Sequence, residues 1–141
     1  MNHFAGSFHE NSFHENSAHR NNDWRPANLG LISPLSHPMR IISGSAGSIP
    51  LQVPRSLTRP TTDRVRETLF NVLRNWIDFQ GLRVLDLFAG TGALGLEALS
   101  RGAQHVTFVE NGRVGQKLIG ENIAKMRAQD RCKLMAQDAT K

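Results

Sequence analysis

The chain has 141 residues, a length that predicts one domain, and it carries a net charge of +5 and a single cysteine. One cysteine excludes a disulfide framework or a cysteine-rich metal site within the chain, and no apolar run approaches the roughly 18 residues of a membrane span. Because the N-terminus also lacks the pattern of a secretory signal, we expect a cytoplasmic protein with no membrane partner.

Residues 1–38 differ in composition from the rest of the chain. The pentapeptide FHENS at residues 8–12 is repeated at once at residues 13–17, and five of the six histidines lie in this segment. A metal-binding tract is one interpretation, but the histidine spacing suits neither a helix face nor a strand face, and apolar anchors are few. We therefore predict a disordered low-complexity extension over residues 1–38 and no metal site.

Residues 39–141 are basic, with 15 Lys and Arg against 9 Asp and Glu. An arginine-rich basic surface fits a partner that bears phosphates, such as nucleic acid. Ordinary solubilising charge would give the same excess, so the count alone leaves both interpretations open.

The first ordered elements are predicted at residues 39–58 and just beyond. MRIISG and IPLQVP resemble two short strands around the turn-prone SGSAGS, which predicts a β-hairpin over residues 39–58. After Pro60, the residues Thr61, Thr62 and Asp63 are good helix N-caps. Apolar residues then recur at helical spacing and predict an amphipathic helix. They are Val65, Leu69, Val72, Leu73 and Trp76.

The remaining sequence alternates between strand and helix patterns. Apart from Arg83 near its start, LRVLDLFAG is a continuous apolar run with one Asp, which is typical of a strand buried on both faces of a parallel sheet. A helix closed by Gly102, the strand HVTFVE, a second helix and the strand CKLMAQDA follow. This β-α-β-α-β order predicts an α/β fold with a doubly wound, mostly parallel sheet. Ligands of such sheets lie at the carboxyl ends of the strands.

A glycine loop follows the first of these strands. Gly90, Gly92 and Gly95 fit the pattern G-x-G-x-x-G, and Glu110 lies 20 residues beyond Gly90. The pattern suits a dinucleotide cofactor, but a bare match is weak evidence. S-adenosylmethionine, which shares the adenosine and has no pyrophosphate, is the other candidate.

Asp86 separates the two candidates. A carboxylate beneath the loop would repel a pyrophosphate, whereas it can accept a charge-assisted hydrogen bond from the α-ammonium of S-adenosylmethionine. Glu110 is predicted to accept from both ribose hydroxyls, and Asp138 from the adenine amine. Three acids at three successive strand ends favour S-adenosylmethionine. Each also has a structural interpretation: Asp86 as a cap, Glu110 as a solvated strand end, and Asp138 as plain loop.

Four stretches together resemble a known family. MRIISG, TRPTTDRVRETLFNVL, RVLDLFAGTGALGLEALSRGA and VTFVE are similar to the bacterial 16S rRNA (guanine-N2)-methyltransferases of the small ribosomal subunit. The resemblance runs from residue 39 to about residue 139. It implies a Rossmann-like class I methyltransferase fold, S-adenosylmethionine as cofactor, and 16S rRNA or a small-subunit assembly intermediate as partner. It also implies a monomer for the full-length protein.

The resemblance carries site residues to this sequence. The implied cofactor-binding residues are Asp86, Ala89, Gly90, Thr91, Gly92, Glu110, Asn111, Asp138 and Ala139. The block 59–67 would lie at the methionine end of the cofactor, near the approach of the RNA. The candidate RNA-binding residues of that block are Arg59, Arg64 and Arg66.

The sequence departs from the family pattern in two ways. Residues 43–52 contain no Lys or Arg, although the hairpin of the family is rich in both. The family also carries an Asn- or Asp-Pro-Pro-aromatic motif after its fourth strand, which orients the target amine. No Pro-Pro pair occurs in this sequence, so no catalytic residue is assigned.

These departures set the remaining expectations. We expect residues 59–141 to form a partial S-adenosylmethionine-binding domain that covers the N-terminal half of the sheet and stops after the third strand. The first strand would then be a bare apolar edge, so the chain alone is expected to be marginally stable and catalytically silent. The alternatives are a non-catalytic remnant that binds cofactor or RNA and, less favoured, a dinucleotide-dependent Rossmann enzyme.

Overall fold

The computed structural model describes residues 39–54 and 61–141. The helices are α1 (Asp63–Leu73), α2 (Ala93–Ser100) and α3 (Arg113–Lys125), and a short 3₁₀ turn spans Gln129–Arg131. The strands are β1 (Arg83–Leu87), β2 (His105–Val109) and β3 (Cys132–Met135). The predicted alternation of strands and helices is therefore confirmed, with the glycine loop between β1 and α2.

The three strands form one parallel sheet in the order β1-β2-β3. Asp86 of β1 is in register with Phe108 of β2, which is in register with Leu134 of β3. The chain steps across the sheet in one direction, and right-handed crossovers then place α2 and α3 on the same face. That face holds the larger core, in which Val106 and Phe108 are fully buried with Ile119 of α3.

Close approach of α2 to the sheet depends on Gly95. A Cβ at this position would lie 2.5 Å from Cε1 of Phe108 and 2.8 Å from Cγ1 of Val106. Real Cβ atoms do not come that close to ring or methyl carbons, so only glycine lets the helix sit at this depth. The third glycine of the loop pattern thus serves helix packing rather than the ligand.

The opposite face of β1 is uncovered among the described residues. Leu85 and Leu87 are 59% and 48% exposed, whereas Val84 on the other face is half-buried. The expectation that β1 is buried on both faces is therefore wrong for this part of the chain. Its physical cause is the one-directional strand order, because both connecting helices cover the same side.

Helix α1 begins as its sequence predicts but buries a different side. Thr62 is the N-cap, and its hydroxyl accepts a hydrogen bond from the amide of Val65 at 3.3 Å. The buried residues are Arg66 and Phe70, and the ring of Phe70 lies 5.3 Å from that of Phe79. Most of the predicted apolar stripe is instead exposed. Its exposed members are Val65, Leu69, Val72 and Trp76.

Residues 39–54 lie against α2 and α3. They fold back on themselves through a single antiparallel bridge between Arg40 and Pro50, rather than through two regular strands. Pro50 has no amide hydrogen to extend a ladder. The segment is held also by side chains of the helices, since both oxygens of the buried Glu97 accept backbone amides, from Ile42 at 2.8 Å and Ser43 at 3.1 Å.

Several expectations concern residues that the structure does not describe. The histidine-containing repeat lies in residues 1–38, and Arg59 lies in residues 55–60, both outside the described ranges. The proposed boundaries of the extension and the hairpin fall partly there as well. Within residues 39–54 and 61–141, no helix combines the length and the apolar character that crossing a membrane requires.

Candidate cofactor site

The turn from β1 into α2 has an unusual backbone. Phe88, Gly90 and Gly92 all have positive φ, at 59°, 57° and 78°. Glycine adopts such angles without strain, while an aromatic residue seldom does. A Cβ at Gly90 would meet nothing within 4 Å, so open space lies against the backbone of the loop. The loop therefore offers bare backbone to a ligand.

Asp86 lies beneath this loop. Its Oδ2 accepts a hydrogen bond of 2.9 Å from the amide of Gly95, in the first turn of α2. Burial raises the pKa of the carboxyl above its ordinary value of 3.8; the Gly95 hydrogen bond opposes this shift, and the charge of Glu110 adds to it. The N-terminus of α2 is thus already faced by a carboxylate of the protein.

Glu110 connects two loops at the end of β2. Its Oε2 accepts from the amide of Gly90 and its Oε1 from the amide of Gly112, each at 2.7 Å. Each carboxylate oxygen has two lone pairs, so both remain able to accept a further hydrogen bond. The backbone oxygen of Glu110 is held by Nε2 of Gln116 at 2.9 Å. The side chain is therefore fixed at the strand end.

A cavity of about 260 Å³ opens beside Glu110. It is lined by Phe88, Val109, Glu110, Asn111, Gln137 and Ala139. Glu110, Asn111 and Ala139 are among the residues that the sequence predicts for the cofactor. Phe88, Val109 and Gln137 were missed, although each directly precedes a predicted residue at a strand end. That adjacency is the signal that could have identified them.

Asp138 is placed differently from the sequence prediction. Its Oδ1 accepts from the hydroxyl of Thr140 at 2.6 Å and from the amide of Thr140 at 2.9 Å. The hydroxyl, followed by the amide, lowers the pKa of the Asp138 carboxyl below its ordinary value. The carboxylate closes a local turn and does not line the cavity, whereas its neighbours Gln137 and Ala139 do.

The middle of the glycine loop is tied to two other parts of the chain. The amide of Ala89 donates to the carbonyl of Val109 at 3.0 Å, which links the loop to β2. The carbonyl of Thr91 accepts from Nδ2 of Asn122 at 3.0 Å, which links it to α3. Asn122 was not predicted as a site residue, because an Asn within a helical pattern carries no sequence signal of what it contacts.

The three candidate RNA-binding arginines have different positions. Arg64 is exposed on α1, and Arg59 is outside the described residues. Arg66 is fully buried, where its guanidinium donates to Asp63 and to the carbonyl of Arg40 at 2.7 Å. It also lies 3.9 Å from Glu97. The surface RNA contact predicted for Arg66 is therefore wrong in this conformation, because the cation is used inside the protein.

Comparison with known families identifies the family to which the chain belongs. The family described as conserved hypothetical protein 95 matches residues 39–141, which is most of the chain. The chain belongs to this family. Its fold is the Rossmann-like fold of class I methyltransferases, as the sequence resemblance implies.

Two curated relatives of this chain support its resemblance to rRNA methyltransferases. The chain is 53% identical over 92 residues to Ribosomal RNA small subunit methyltransferase D of Escherichia coli K12, covering 64% of this chain and 45% of that protein. It is 41% identical over 102 residues to YlbH of Bacillus subtilis 168, covering 72% and 54%.

A solved structure agrees with these relatives. The yhhF protein of Escherichia coli superposes with a TM-score of 0.62 at 45% identity, covering 71% of this chain and 53% of that one. The chain thus spans about half the length of the curated relatives it matches.

Proposed function

We propose that residues 39–141 form the S-adenosylmethionine-binding part of a methyltransferase. The reaction transfers the cofactor's methyl group to the exocyclic N2 amine of a guanine in the RNA of the small ribosomal subunit. The proposal rests chiefly on one observation: beneath the glycine loop, the carboxylate of Asp86 accepts a hydrogen bond from an amide in the first turn of α2.

The position of Asp86 distinguishes the two cofactors considered. In a dinucleotide site the first turn of this helix offers its amides to a pyrophosphate. Here a carboxylate faces that turn, and Glu110 stands at the neighbouring strand end. Two negative charges would repel a diphosphate and attract a ligand with a sulfonium and an ammonium group. The charge pattern therefore favours S-adenosylmethionine over a nicotinamide or flavin dinucleotide.

The other residues fit the same cofactor. The open space against Gly90 accommodates a ligand that runs along the loop backbone. In our assignment, Asp86 accepts from the α-ammonium and Glu110 from the ribose hydroxyls. The cavity between Phe88 and Ala139 takes the adenine ring. The bound cofactor supplies an electrophilic methyl group, and these residues hold and orient it.

The RNA substrate is inferred from the relatives and from charge. The Escherichia coli relative is named as a methyltransferase of small-subunit ribosomal RNA. Exposed Arg64 at the start of α1 and the basic excess of residues 39–141 suit a polyanion. No described residue is assigned to the methyl-transfer step, because the sequence contains no Pro-Pro pair of the kind that orients the target amine.

Calorimetric titration tests the cofactor assignment. We expect the 141-residue chain to bind S-adenosylmethionine at least tenfold more tightly than NAD. The D86N variant keeps an acceptor for the Gly95 amide but loses the charge, so its affinity should fall about tenfold or more. The control is E121Q, which alters an exposed carboxylate on α3 and should leave the affinity unchanged. Tighter binding of NAD would overturn the assignment.

Nucleoside analysis of ribosomal RNA tests the reaction in the source organism. Deletion of the gene for the methyltransferase to which residues 39–141 contribute should remove one N2-methylguanosine from the small-subunit RNA and leave the large-subunit RNA unchanged. Restoring the wild-type gene should return the modification, and restoring the D86N gene should return less of it. An unchanged set of modified nucleosides after deletion would contradict the proposed substrate.

A further inference from the structure

Asn122 is a fully buried polar side chain between three parts of the fold. From α3, its Oδ1 accepts the amide of Gln52 at 2.6 Å. Its Nδ2 donates to the carbonyl of Gln52 at 3.1 Å and to the carbonyl of Thr91 at 3.0 Å. Both amide hydrogens and the acceptor oxygen are therefore used, which leaves the carboxamide one satisfied orientation.

The bond to Thr91 acts on a particular peptide group. The carbonyl of Thr91 and the amide of Gly92 belong to the same peptide plane. Asn122 holds the carbonyl, and the carbonyl of Ala89 accepts from the Gly92 amide at 2.7 Å. The peptide is thus held at both ends. On one side it adjoins Gly92, a glycine with a φ of 78°, where the backbone has the most freedom to rotate.

The same contacts join the loop to residues 39–54. Gln52 exchanges two hydrogen bonds with Asn122, and Sδ of Met39 accepts the hydroxyl of Thr91 at 3.7 Å. Met39 and Leu51 are themselves paired, because the Leu51 amide donates to the Met39 carbonyl at 2.7 Å. Both ends of this folded segment are therefore linked to Thr91, Met39 directly and Gln52 through Asn122.

We propose that Asn122 is a positioning residue that fixes the Thr91–Gly92 peptide in its ligand-ready orientation. It touches neither the cavity nor the reacting atoms, so it acts through the loop. The inference about loop order stands on the contacts alone, while its effect on S-adenosylmethionine rests on the proposed function.

The N122D variant tests the proposal. Aspartate keeps the acceptor for the Gln52 amide but puts a second oxygen against the carbonyls of Gln52 and Thr91, which are 3.1 and 3.0 Å from Nδ2 in the wild type. Without any ligand, we expect hydrogen exchange at the Gly92 amide to accelerate at least tenfold, with Phe108 in the sheet unchanged. We also expect S-adenosylmethionine to bind about tenfold more weakly.

The matched control is K125A. Lys125 lies on the same helix, and its Nζ donates to the carbonyl of Pro50 at 3.2 Å. The variant thus weakens the contact of α3 with residues 39–54 without touching the loop. We expect K125A to leave Gly92 exchange and cofactor affinity within twofold of wild type. Equal effects of K125A and N122D would overturn the role of the Thr91 bond.

The outcomes separate this inference from the proposed function. If wild type binds no S-adenosylmethionine, the proposed function fails, while faster Gly92 exchange in N122D still supports the positioning role. Unchanged Gly92 exchange in N122D overturns the inference whatever binds. If N122D does not fold, the smaller N122S takes its place. Failure of both to fold would overturn the proposal, because Asn122 would then serve the whole fold rather than the loop.

Discussion

At the scale of single residues, carboxylates in this protein serve backbone amides. Asp86, Glu97 and Glu110 each accept at least one main-chain N–H from another helix or loop. Such bonds fix loops without needing a second side chain. Asp86 differs from the others in one respect, because its burial raises its pKa while the proposed ligand needs its charged form.

The difference in stability between D86N and wild type should therefore depend on pH in a defined direction. In the folded wild type, the pKa of Asp86 is raised above 3.8, so its contribution to stability is present at low pH and is lost as pH rises through the folded pKa. At pH 7.5 we expect D86N to be at least as stable as wild type in urea unfolding. The difference should shrink as pH approaches 3.8.

The pH series carries its own control, since titrating groups that do not interact with Asp86 contribute equally to the two proteins and cancel in the difference. A D86N variant that is less stable than wild type at pH 7.5 would show that the charge of Asp86 stabilises the ligand-free fold. Cofactor affinity that fell while stability held would identify Asp86 as a residue retained for binding.

The sequence predicts site residues only where a local pattern carries them. Asp86, the glycines and Glu110 follow from strand ends and loop spacing, and they lie where that pattern puts them. Asn122 depends on which helix side meets the loop, and no local pattern records that contact. The position of Asp138 after β3 predicts a contact with adenine, but the hydroxyl of Thr140, two residues away, competes for its carboxylate.

At the scale of elements, α1 is attached by an ion cluster as well as by apolar packing. Arg66 projects inward beside Phe70, and its guanidinium meets Asp63 and Glu97. Glu97 also pairs with Arg101 at 2.9 Å. The apolar pattern of α1 predicted the helix correctly, because periodicity fixes the type of element. It predicted the buried side wrongly, because periodicity does not say which partner each side meets.

Removing the charge of Glu97 should loosen α1 and residues 39–54 together. We expect E97Q to lower the free energy of unfolding by about 3 kcal/mol, because it removes one of the two counter-charges of the buried Arg66, leaving only Asp63, and withdraws one amide acceptor. Urea unfolding followed by circular dichroism measures the change. E121Q removes an exposed carboxylate that lies 3.9 Å from Nζ of Lys117, and it should lower the free energy of unfolding by less than about 1 kcal/mol.

Similar losses in the two variants would contradict this account of the cluster. A loss confined to E97Q, with faster hydrogen exchange at the amides of Ile42 and Ser43, would support it. Those two amides report directly on the bonds that Glu97 accepts.

At the scale of the whole molecule, the described helices leave one sheet face bare. Leu85 and Leu87 project from that face, and β1 pairs on one side only among the described strands. Val72 on α1 and Trp76, three residues beyond the end of that helix, are also exposed, at 52% and 83%. The edge position of β1 was predictable from the strand order of the resembled family, but the bare face was missed where β1 was taken to be buried on both sides.

Such a surface should make the 141-residue chain self-associate. Apolar side chains beside an open strand edge favour pairing between molecules. We expect light scattering to detect association at micromolar concentration. The double variant L85T/L87T keeps residues suited to a strand and should raise the onset concentration about tenfold. V114T, at a 64% exposed position on α3, should leave the onset unchanged.

Association that is equal in the wild type and both variants would show that another part of the chain drives it. Association reduced by V114T alone would place the contact on α3.

The strand order also determines the sequence in which parts of this molecule can fold. β2 and β3 each pair with the strand that precedes them in the chain, so each pairing closes a single strand–helix–strand unit. All residues that line the cavity fall between Phe88 and Ala139. The crevice therefore forms only when β3 has joined the sheet, because Gln137 and Ala139 follow that strand, and a ligand that fills the crevice would stabilise the folded chain by mass action.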